Sequence, residues 1–561
     1  MSTGGANDTY FGIDLGSTNT VISRGNVLFN GLIQSQIIQI MQVDEHKCPT
    51  MEFILPSILY VDENGKEYVG KIAKDIKCKA SKKVLYNTKR YIGTNKSWRL
   101  GENEYTAKDV AKQILKTCRE SMKRYNKGID VDSVTITVPA SFNTDQIKDT
   151  KDAALEIGFK NVNLIPEPTS ALIDFINEQS NLINSQRQIN LDKSTRIMVF
   201  DLGGGTCDIA IVDVTQNDRK LEFTEVAIGR YDEIGGIDFD NKVALSKLNE
   251  FLINNNIDYN SLDKDKKDNM VRHLRIFAEK AKERISADLE MNCYFGESFD
   301  HYIMDFYGDD PVRFSINKEE YDDIIKDFFI QSKKTNKRSE EEYKKNIVDP
   351  ILNTLRDYNI DKNSIDCLFL TGGMTKYKVV RDKLKEILNL NDNQIINSID
   401  PLSSIAKGAA IYDYYETKIN KLDIKQNNRE SIDGGEFKEK KFELTRVLAE
   451  AIMIDVKDGL PVVIINSNQE VPYEDTLKGI LKTTSPSGVE INLYAGINQF
   501  DSKMRIQRKY KAYFNTPKKP NTPIDINFSI DKDKYLKLFV DVDGERIELK
   551  QEVDLKEKTV I

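Results

Sequence analysis

Glycine-rich turns at two places in the sequence constrain this chain more than any other feature. The segments Phe11–Thr20 (FGIDLGSTNT) and Phe200–Ile209 (FDLGGGTCDI) both run from an apolar strand through Asp-Leu-Gly to a hydroxyl residue and a second apolar strand. Glycine lets such a turn come close to a ligand, and the exposed amides and hydroxyls can hold phosphate oxygens. An aspartate at the end of a strand can also reach a hydrated Mg²⁺. One such turn is usually an ordinary hairpin, but two in one chain predict a pair that clamps a triphosphate from both sides.

A third glycine pair follows another apolar strand. Phe369–Thr375 reads FLTGGMT and precedes a segment with a helical pattern. A turn of this kind between a strand and a helix can approach a nucleotide base or ribose. Taken alone, the segment is better explained as the ordinary first turn of a helix.

Strand-like and helix-like segments alternate over most of the chain, which is typical of α/β layers with parallel or mixed sheets. Helical periodicity is predicted for Asp109–Asn126, Asp145–Ile157, Val271–Ala287 and Lys376–Leu388. After a polar stretch, only short strands separated by close turns follow, as in a β-sandwich. The predicted domains are an α/β domain over 1–415, a charged linker over 416–441, a β-sandwich over 442–553 and a tail over 554–561.

Composition argues against several classes of protein. Apolar residues make up 39% of the 561 residues and charged residues 30%, and no apolar run approaches the roughly eighteen residues that a membrane-spanning helix needs. The six cysteines include no CxxC pair and the three histidines are far apart, so we expect neither a zinc site nor disulfides but a reducing, cytoplasmic compartment. We read no signal peptide at the N-terminus. The net charge of −8 argues against nucleic-acid binding, and we expect a monomer.

Further motifs occur in a characteristic order along the chain. Between and after the glycine-rich turns stand NTKRYIG (87–93), ITVPASFNTDQ (136–146), IPEPTSAL (165–172), IGGIDFDN (234–241), AEKAKERIS (278–286) and SIDPLSSIAKGAAI (398–411). With these motifs the chain resembles the DnaK-type heat-shock protein 70 family of chaperones, within the actin–hexokinase nucleotide-binding superfamily. The resemblance implies an actin-like ATPase domain of two lobes followed by an all-β sandwich domain. It also implies ATP or ADP with Mg²⁺ as cofactors and slow hydrolysis of ATP.

The resemblance assigns residues to the metal and to hydrolysis. Asp14 and Asp201 match the two aspartates that hold the metal through water. Lys89 matches a lysine that positions the γ-phosphate and the attacking water. Glu167 matches a glutamate near the metal and the water, and Asp208 a carboxylate that positions or deprotonates the water. Such a division of roles is reasonable because phosphoryl transfer needs charge neutralisation and an aligned nucleophile more than covalent chemistry.

The remaining nucleotide contacts implied by the resemblance fall into two groups. Those at the glycine-rich turns and their neighbours are Gly16, Ser17, Thr18, Gly203, Gly204, Gly205, Thr206, Gly235, Gly236, Gly372 and Gly373. Those at the ribose and base are Glu279, Lys282 and Ser286, which share one helix face because their spacing is i, i+3 and i+7. A base-stacking arginine of some members is replaced by Glu283, and we expect Arg90 to offer a stacking cation from the opposite side. Met374, Lys376 and Leu402 stand where the family usually has a serine, an arginine and an aspartate, which predicts weaker nucleotide affinity or looser base preference.

Three departures from the family concern communication between the domains. Family members carry a relay arginine where this chain has Ile147, although its proline partner, Pro139, is kept. We find no acidic, leucine-rich linker of the kind that docks as a strand. The sequence stops after the β-domain, so we expect no helical lid and fast release of substrate.

The β-domain offers candidate substrate contacts. In the family, an extended apolar polypeptide lies between loops of the sandwich and bonds through its backbone. The matching positions are Leu460, Val489 and Ile491. A place in the sandwich core explains each of these residues at least as well.

Two functions remain open from the sequence. The first is an ATP-hydrolysing chaperone that binds unfolded or extended polypeptide, with or without co-chaperones. The second is a nucleotide-gated scaffold or regulator that docks one dedicated protein partner and has little or no chaperone activity. A small-molecule kinase of the same superfamily is disfavoured, because the C-terminal domain is rich in strands and no sugar-site signature is found.

Overall fold

The computed structural model describes residues 9–28, 33–79, 83–180, 182, 184–216, 220–230, 232–291, 297–332, 345–398, 400–426, 441–456, 459–501 and 504–551. The predicted tail over 554–561 and more than half of the predicted linker lie outside these ranges. No helix among the residues so described is both long and apolar enough to cross a bilayer.

A first lobe is formed by the N-terminal part of the chain. Its elements are β1 (Thr9–Leu15), β2 (Asn19–Val27), β3 (Ile33–Ile37), β4 (Ile40–Val43), β5 (Pro49–Glu52), β6 (Ile54–Pro56), β7 (Leu59–Val61), β8 (Glu67–Val69), α1 (Lys71–Lys79), β9 (Val84–Leu85), β10 (Ser97–Leu100), β11 (Asn103–Thr106), α2 (Ala107–Tyr125), β12 (Ser133–Val138), α3 (Thr144–Glu156), β13 (Asn161–Pro166) and α4 (Glu167–Ser180). The main sheet has the order β13-β12-β1-β2-β3. Strands β1, β12 and β13 run parallel, whereas β1 and β2 form an antiparallel hairpin. Because both faces of the sheet are covered, β1 and β12 are buried along almost their whole length.

A second lobe follows. Its elements are β14 (Thr195–Leu202), β15 (Cys207–Gln216), β16 (Lys220–Ile228), α5 (Gly236–Asn254), α6 (Lys264–Glu290), β17 (Phe299–Ile303), β18 (Val312–Ile316), α7 (Lys318–Ile325), α8 (Val348–Asp357), β19 (Cys367–Thr371), α9 (Lys378–Leu388), β20 (Ile395–Asn397) and α10 (Ser404–Gln426). Five of its strands lie in one sheet in the order β20-β19-β14-β15-β16. Strands β14 and β15 form an antiparallel hairpin, as β1 and β2 do in the first lobe.

The C-terminal part of the described chain is all β. Its strands are β21 (Lys441–Val447), β22 (Ala451–Ile454), β23 (Val462–Ile465), β24 (Glu470–Val471), β25 (Tyr473–Lys482), β26 (Gly488–Gly496), β27 (Arg505–Tyr513), β28 (Pro523–Ile530), β29 (Leu536–Val542), β30 (Glu545–Glu548) and β31 (Lys550–Gln551). Two antiparallel sheets, β23-β22-β26-β27-β31 and β25-β28-β29-β30, share one apolar core. This is the packing of a β-sandwich, which we call the β-domain.

Strand β21 corrects one expectation from the sequence. The sequence showed no linker that docks as a strand, yet Lys441–Thr445 pairs in parallel with β16 and so extends the sheet of the second lobe. Phe442 explains the choice of partner, since its ring packs against Phe223 and Tyr415 at centroid distances of 5.4 and 4.5 Å. Local alternation predicts a strand here but does not reveal which sheet the strand joins.

Helix α10 also differs from the prediction, because it continues to Gln426 and thus passes the boundary placed after residue 415. A polar composition suits a linker and a solvated helix equally well, so composition alone could not separate them. The helix packs beside α4 and against β1, where a Cβ on Gly12 would lie 2.4 Å from the carbonyl oxygen of Ala406. The C-terminal helix of the two lobes is thereby attached to the first glycine-rich hairpin.

Gly408→Ala is expected to destabilise the protein, because α10 and α4 touch at this residue. A Cβ on Gly408 would lie 1.7 Å from the carbonyl oxygen of Ser170, which is backbone and cannot move aside alone. Overpacking of this kind costs about 3 kcal/mol, which exceeds the roughly 1 kcal/mol gain in helix propensity from Gly to Ala. Urea unfolding measures the change. Gly373→Ala is the control, since its Cβ would meet open space, and equal stability of the two variants would contradict the contact.

Candidate functional site

The two glycine-rich turns face each other between the lobes. A Cβ on Gly204 would lie 2.3 Å from the Thr18 Oγ1, and one on Gly205 would lie 3.2 Å from Ser17. Glycine is therefore required for the two turns to approach this closely. The cavity between them is lined by Asp14, Gly16, Ser17, Thr18, Asn19, Val21, Lys89, Glu167, Asp201, Gly203, Gly204, Gly205, Thr206, Gly372, Gly373, Pro401, Leu402 and Ile405.

The glycines that follow the turns support the second turn from behind. The amides of Gly236 and Ile237, at the start of α5, donate to the carbonyl oxygens of Gly203 and Gly204 at 3.0 and 2.9 Å. A Cβ on Gly235 would lie 2.6 Å from the backbone nitrogen of Gly205. Gly235 and Gly236 thus hold the shape of the turn, whereas the lining residues come from the turn itself.

Gly372 has a different task at the end of β19. Its φ of +84° lies in the region that favours glycine, and a Cβ would lie 2.4 Å from the Asp201 Oδ1. Gly373 has open space beside it. Gly372 therefore lets the end of β19 pass directly behind an acidic side chain of the cavity.

Carboxylates are crowded at the ends of the paired strands. Asp14 ends β1 and accepts from the Thr137 hydroxyl at 3.0 Å, while Asp201 and Asp208 face each other across β14 and β15. Burial and the neighbouring charge of Glu167 raise the pKa of Asp14 to about 7 and that of Asp208 to about 6. The pKa of Asp201 is also raised, first by burial and then by Glu167. Such a group of acids is poised to receive a cation.

Lys89 brings an amine to the lining of the cavity. Lys89 lies in a short helical turn at Thr88–Tyr91, and its Nζ donates to the Glu167 Oε1 at 2.5 Å. Both side chains are about nine-tenths buried, so the pair lies inside the cavity. The same Nζ lies 5.7 Å from the centroid of the Phe142 ring.

Arg90 does not have the position expected for stacking on a base. Its guanidinium donates to the Gly205 carbonyl oxygen at 2.6 Å and to the Asp238 Oδ2 at 3.0 Å. Lys345 donates to the other oxygen of Asp238 at 3.0 Å. Arg90 belongs to the first lobe and its two acceptors to the second, so the residue bridges the lobes beside the cavity.

The predicted ribose and base contacts lie apart from the phosphate turns. Glu279, Lys282 and Ser286 share the helix α6 but none of them lines the cavity. Lys282 donates to the Asp240 Oδ2 at 2.8 Å and to the Gly236 carbonyl oxygen at 3.4 Å. Leu402, which does line the cavity, is 43% exposed.

The three predicted substrate contacts of the β-domain differ in how deeply they are buried. Leu460 lies in the loop before β23 and is 53% exposed, whereas Ile491 on β26 is 1% exposed and belongs to the sandwich core. Val489 is half-buried and packs against the same core. In this structure Ile491 is therefore a core residue of the sandwich and is not accessible to a bound polypeptide.

The β-domain docks on the lobes through buried ion pairs. Asp533, in the turn between β28 and β29, accepts from Lys151 of α3 at 2.6 Å and lies 3.4 Å from Arg446 of β21. The Arg446 guanidinium also donates to the Leu164 carbonyl oxygen at 2.9 Å. Ile147 and Pro139 line the same small notch. The expected position of the relay arginine is thus apolar, and the buried basic residues of the notch are Arg446 of β21 and Lys534 of the β-domain.

A second contact region includes Glu450, just before β22, and Asp501, between β26 and β27. Arg230 of the second lobe pairs with Glu450 at 3.1 Å and with Asp501 at 2.6 Å. Nearer α3, the Thr144 hydroxyl donates to the Gln507 Oε1 at 2.8 Å. Each lobe therefore holds the β-domain at a separate point.

Comparison with known proteins decides the family. A family model described as "Hsp70 protein" matches residues 10–559. The chain belongs to the Hsp70 family. The predicted family assignment is confirmed, and the family is one of ATP-binding chaperones with ATPase activity. The family fold, an actin-like ATPase domain of two lobes followed by a β-sandwich, agrees with the sheets of this structure.

Curated relatives of this Hsp70 protein are bacterial chaperones. The chain is 26% identical over 528 residues to the chaperone protein DnaK of Thermosipho africanus, of Thermosipho melanesiensis and of Thermotoga neapolitana. The alignment covers 93% of this chain and 76% of each relative. At this identity most side chains differ, so the details of the site come from this chain's own residues.

Several residues of the site had no signal in the sequence. Thr137 and Ser141 bind Asp14 and Asp208 through their hydroxyls, yet serine and threonine are common in many roles. Arg446 and Asp533 meet only because the β-domain docks. A long-range contact of this kind leaves no local pattern.

Proposed function

We propose that this protein binds ATP with Mg²⁺ between the two glycine-rich turns, hydrolyses it slowly, and uses the cycle to control the binding of unfolded or extended polypeptide by the β-domain. The observation that carries the proposal is the convergence of both turns, two strand-end aspartates and the Lys89–Glu167 pair on one cavity. The β-domain rests on the same two lobes. A change in how the lobes meet therefore reaches the β-domain.

The turns suit a chain of phosphates. The glycines Gly203, Gly204 and Gly205 and the hydroxyl residues Ser17, Thr18 and Thr206 line the cavity. The Thr18 Oγ1 is buried and has no hydrogen-bond partner among the described residues. A phosphate oxygen supplies the acceptor that this hydroxyl needs.

The acidic residues fit a hydrated Mg²⁺. Among the residues that the structure describes, no three His, Cys, Asp or Glu side chains converge closely enough to ligate one ion directly. We assign Asp14 and Asp201 to the waters of the ion, since Mg²⁺ keeps several waters and takes few carboxylates. When bound, the ion neutralises charge on the phosphates and between the acids.

Three side chains are assigned to hydrolysis. Lys89, held by Glu167 in this structure, is within the cavity and can move to a phosphate oxygen. Asp208 orients the attacking water and accepts its proton, for which a raised pKa is suitable.

In the β-domain we assign Leu460 and Val489 to the polypeptide, together with Ile491 once the sandwich loosens. Leu460 is already exposed, while Ile491 lies in the core. The protein is proposed to act as a monomer in the cytoplasm, where its buried and unpaired Cys118, Cys207 and Cys367 stay reduced. Co-chaperones are further proposed partners.

The second candidate is a nucleotide-gated scaffold for one dedicated folded partner. The burial of Ile491 favours it, because a site that stays closed cannot hold an extended chain. In that case the exposed surface of the β-domain, not a groove in it, meets the partner.

Release of an unfolded polypeptide tests the proposed function. A fluorescent, reduced and alkylated protein is first bound to the nucleotide-free form. ATP with Mg²⁺ should then speed its release, whereas ATP with a chelator should not. Asp201→Asn is the control variant and should abolish the effect of Mg²⁺. Release that ignores nucleotide in the wild type contradicts the chaperone proposal.

Arg90→Ala is expected to speed the release of ADP about tenfold, since the side chain bonds the first lobe to Gly205 and Asp238 of the second. Stopped-flow displacement of fluorescent ADP measures the rate. Arg99→Ala is a matched control, because Arg99 lies in the same lobe and is exposed. Equal release rates for Arg90→Ala and the wild type contradict a bridging role.

A further inference from the structure

One hydrogen bond between the lobes ends on a proposed catalytic carboxylate. Ser141, in the segment between β12 and α3 of the first lobe, donates from its Oγ to the Asp208 Oδ1 on β15 of the second lobe at 2.9 Å. Both residues are 2% exposed. A buried hydrogen bond to a charged acceptor is among the stronger ones in a protein.

The bond leaves the two oxygens of Asp208 unequal. Oδ1 accepts from Ser141, while Oδ2 is buried and has no partner at hydrogen-bonding distance among the described residues. The Thr206 side chain is a further polar neighbour of the same carboxylate. A carboxylate held at one oxygen keeps a fixed plane. Its second oxygen then has a defined direction in which to accept from a water.

The segment that carries Ser141 is itself held firmly. Pro139 fixes its own φ angle, and Phe142 places its ring 5.7 Å from the Lys89 Nζ. Just beyond, Asn143 caps α3 by accepting from the Gln146 amide at 3.0 Å. Thr144 bonds Gln507 of the β-domain. Ser141 is therefore a donor on a rigid support, bonded to Asp208 and next in sequence to Phe142, whose ring lies near Lys89.

We infer that Ser141 is a positioning residue for hydrolysis: it orients Asp208 so that the free carboxylate oxygen meets the attacking water when the lobes are together. The inference rests on the proposed function, because it concerns the same reaction. Ser141 itself touches no phosphate in this account, so it acts on the rate and not on nucleotide affinity.

Single-turnover hydrolysis and ATP affinity, measured on the full chain, test the inference. Ser141→Ala should lower the rate about tenfold, the equivalent of one hydrogen bond to a charged group, and should leave the ATP dissociation constant within about twofold. Ser141→Thr keeps the hydroxyl and should recover most of the rate. Ser121→Ala is the matched control, since Ser121 is equally buried in α2, away from the cavity, and should hydrolyse ATP like the wild type.

The double variant shows whether the effect passes through Asp208. In the Asp208→Ala background, Ser141→Ala should cause no further loss, because the acceptor is gone. A further tenfold loss there, or an unchanged rate for Ser141→Ala alone in an active protein, overturns the inference. A wild-type protein that binds ATP but releases no phosphate contradicts the proposed function itself and this inference with it.

Discussion

Lys89→Ala is expected to lower the single-turnover rate of ATP hydrolysis by about a hundredfold to a thousandfold, the usual loss when one charged group at the transition state is removed. The affinity for ATP should stay within about threefold. Lys89 lies in the cavity beside Glu167 and faces acids that cannot replace its charge. The glycine-rich turns, which grip the phosphates, are left intact. Rapid-quench measurement of phosphate release and a separate binding titration distinguish the two quantities.

Lys83→Ala is the matched control for this prediction, because Lys83 lies in the same lobe and its Nζ pairs with the exposed Glu63. It should behave as the wild type. The double variant Lys89→Ala/Glu167→Gln also removes the buried negative charge that Lys89→Ala leaves without its amine. It should hydrolyse ATP as slowly as Lys89→Ala. An equal loss of affinity and rate in Lys89→Ala would show that the residue shapes the site and does not act in the reaction.

Asp533→Ala is expected to separate the β-domain from the lobes. The change leaves Lys151 and Arg446 without their shared carboxylate, and Arg446 is almost fully buried. Removing one partner of a buried ion pair costs about 3–5 kcal/mol. Because an interface between domains is only marginally stable, a loss of this size shifts most molecules to the undocked form.

Small-angle X-ray scattering in ATP measures this shift as a larger radius of gyration. The same variant should lose the effect of ATP on polypeptide release while it still hydrolyses ATP. Glu474→Ala, on an exposed position of β25, is the control and should change neither quantity. A compact Asp533→Ala variant with normal release contradicts the role of the buried pairs.

The two glycine-rich hairpins are the part of the fold that local sequence predicts best. The tripeptide Asp-Leu-Gly after an apolar strand predicts both a turn and an acidic side chain at the end of the strand. The structure has such a turn after both β1 and β14. Periodicity also gave α2 and α3 to within two residues at each end. In these cases the residues that decide the structure are neighbours in sequence.

Strand β21 shows where local reasoning stops. FELTRV reads as a strand, but its pairing with β16 depends on Phe223 and Tyr415, which lie far away in the sequence. The same limit applied to Arg90, whose acceptor Asp238 is 148 residues away. The sequence suggested that Arg90 stacks on the base, whereas in the fold its guanidinium donates to a carbonyl oxygen and to a carboxylate.

The central claim is that nucleotide hydrolysis and polypeptide binding are coupled in one molecule. Single-turnover ATP hydrolysis, with and without a reduced and alkylated unfolded protein, tests it most directly. We expect slow hydrolysis that the unfolded protein accelerates, through the contacts of Arg446 and Asp533. Tight ATP binding with a hydrolysis rate indifferent to the unfolded protein would contradict it and favour a scaffold for one dedicated partner.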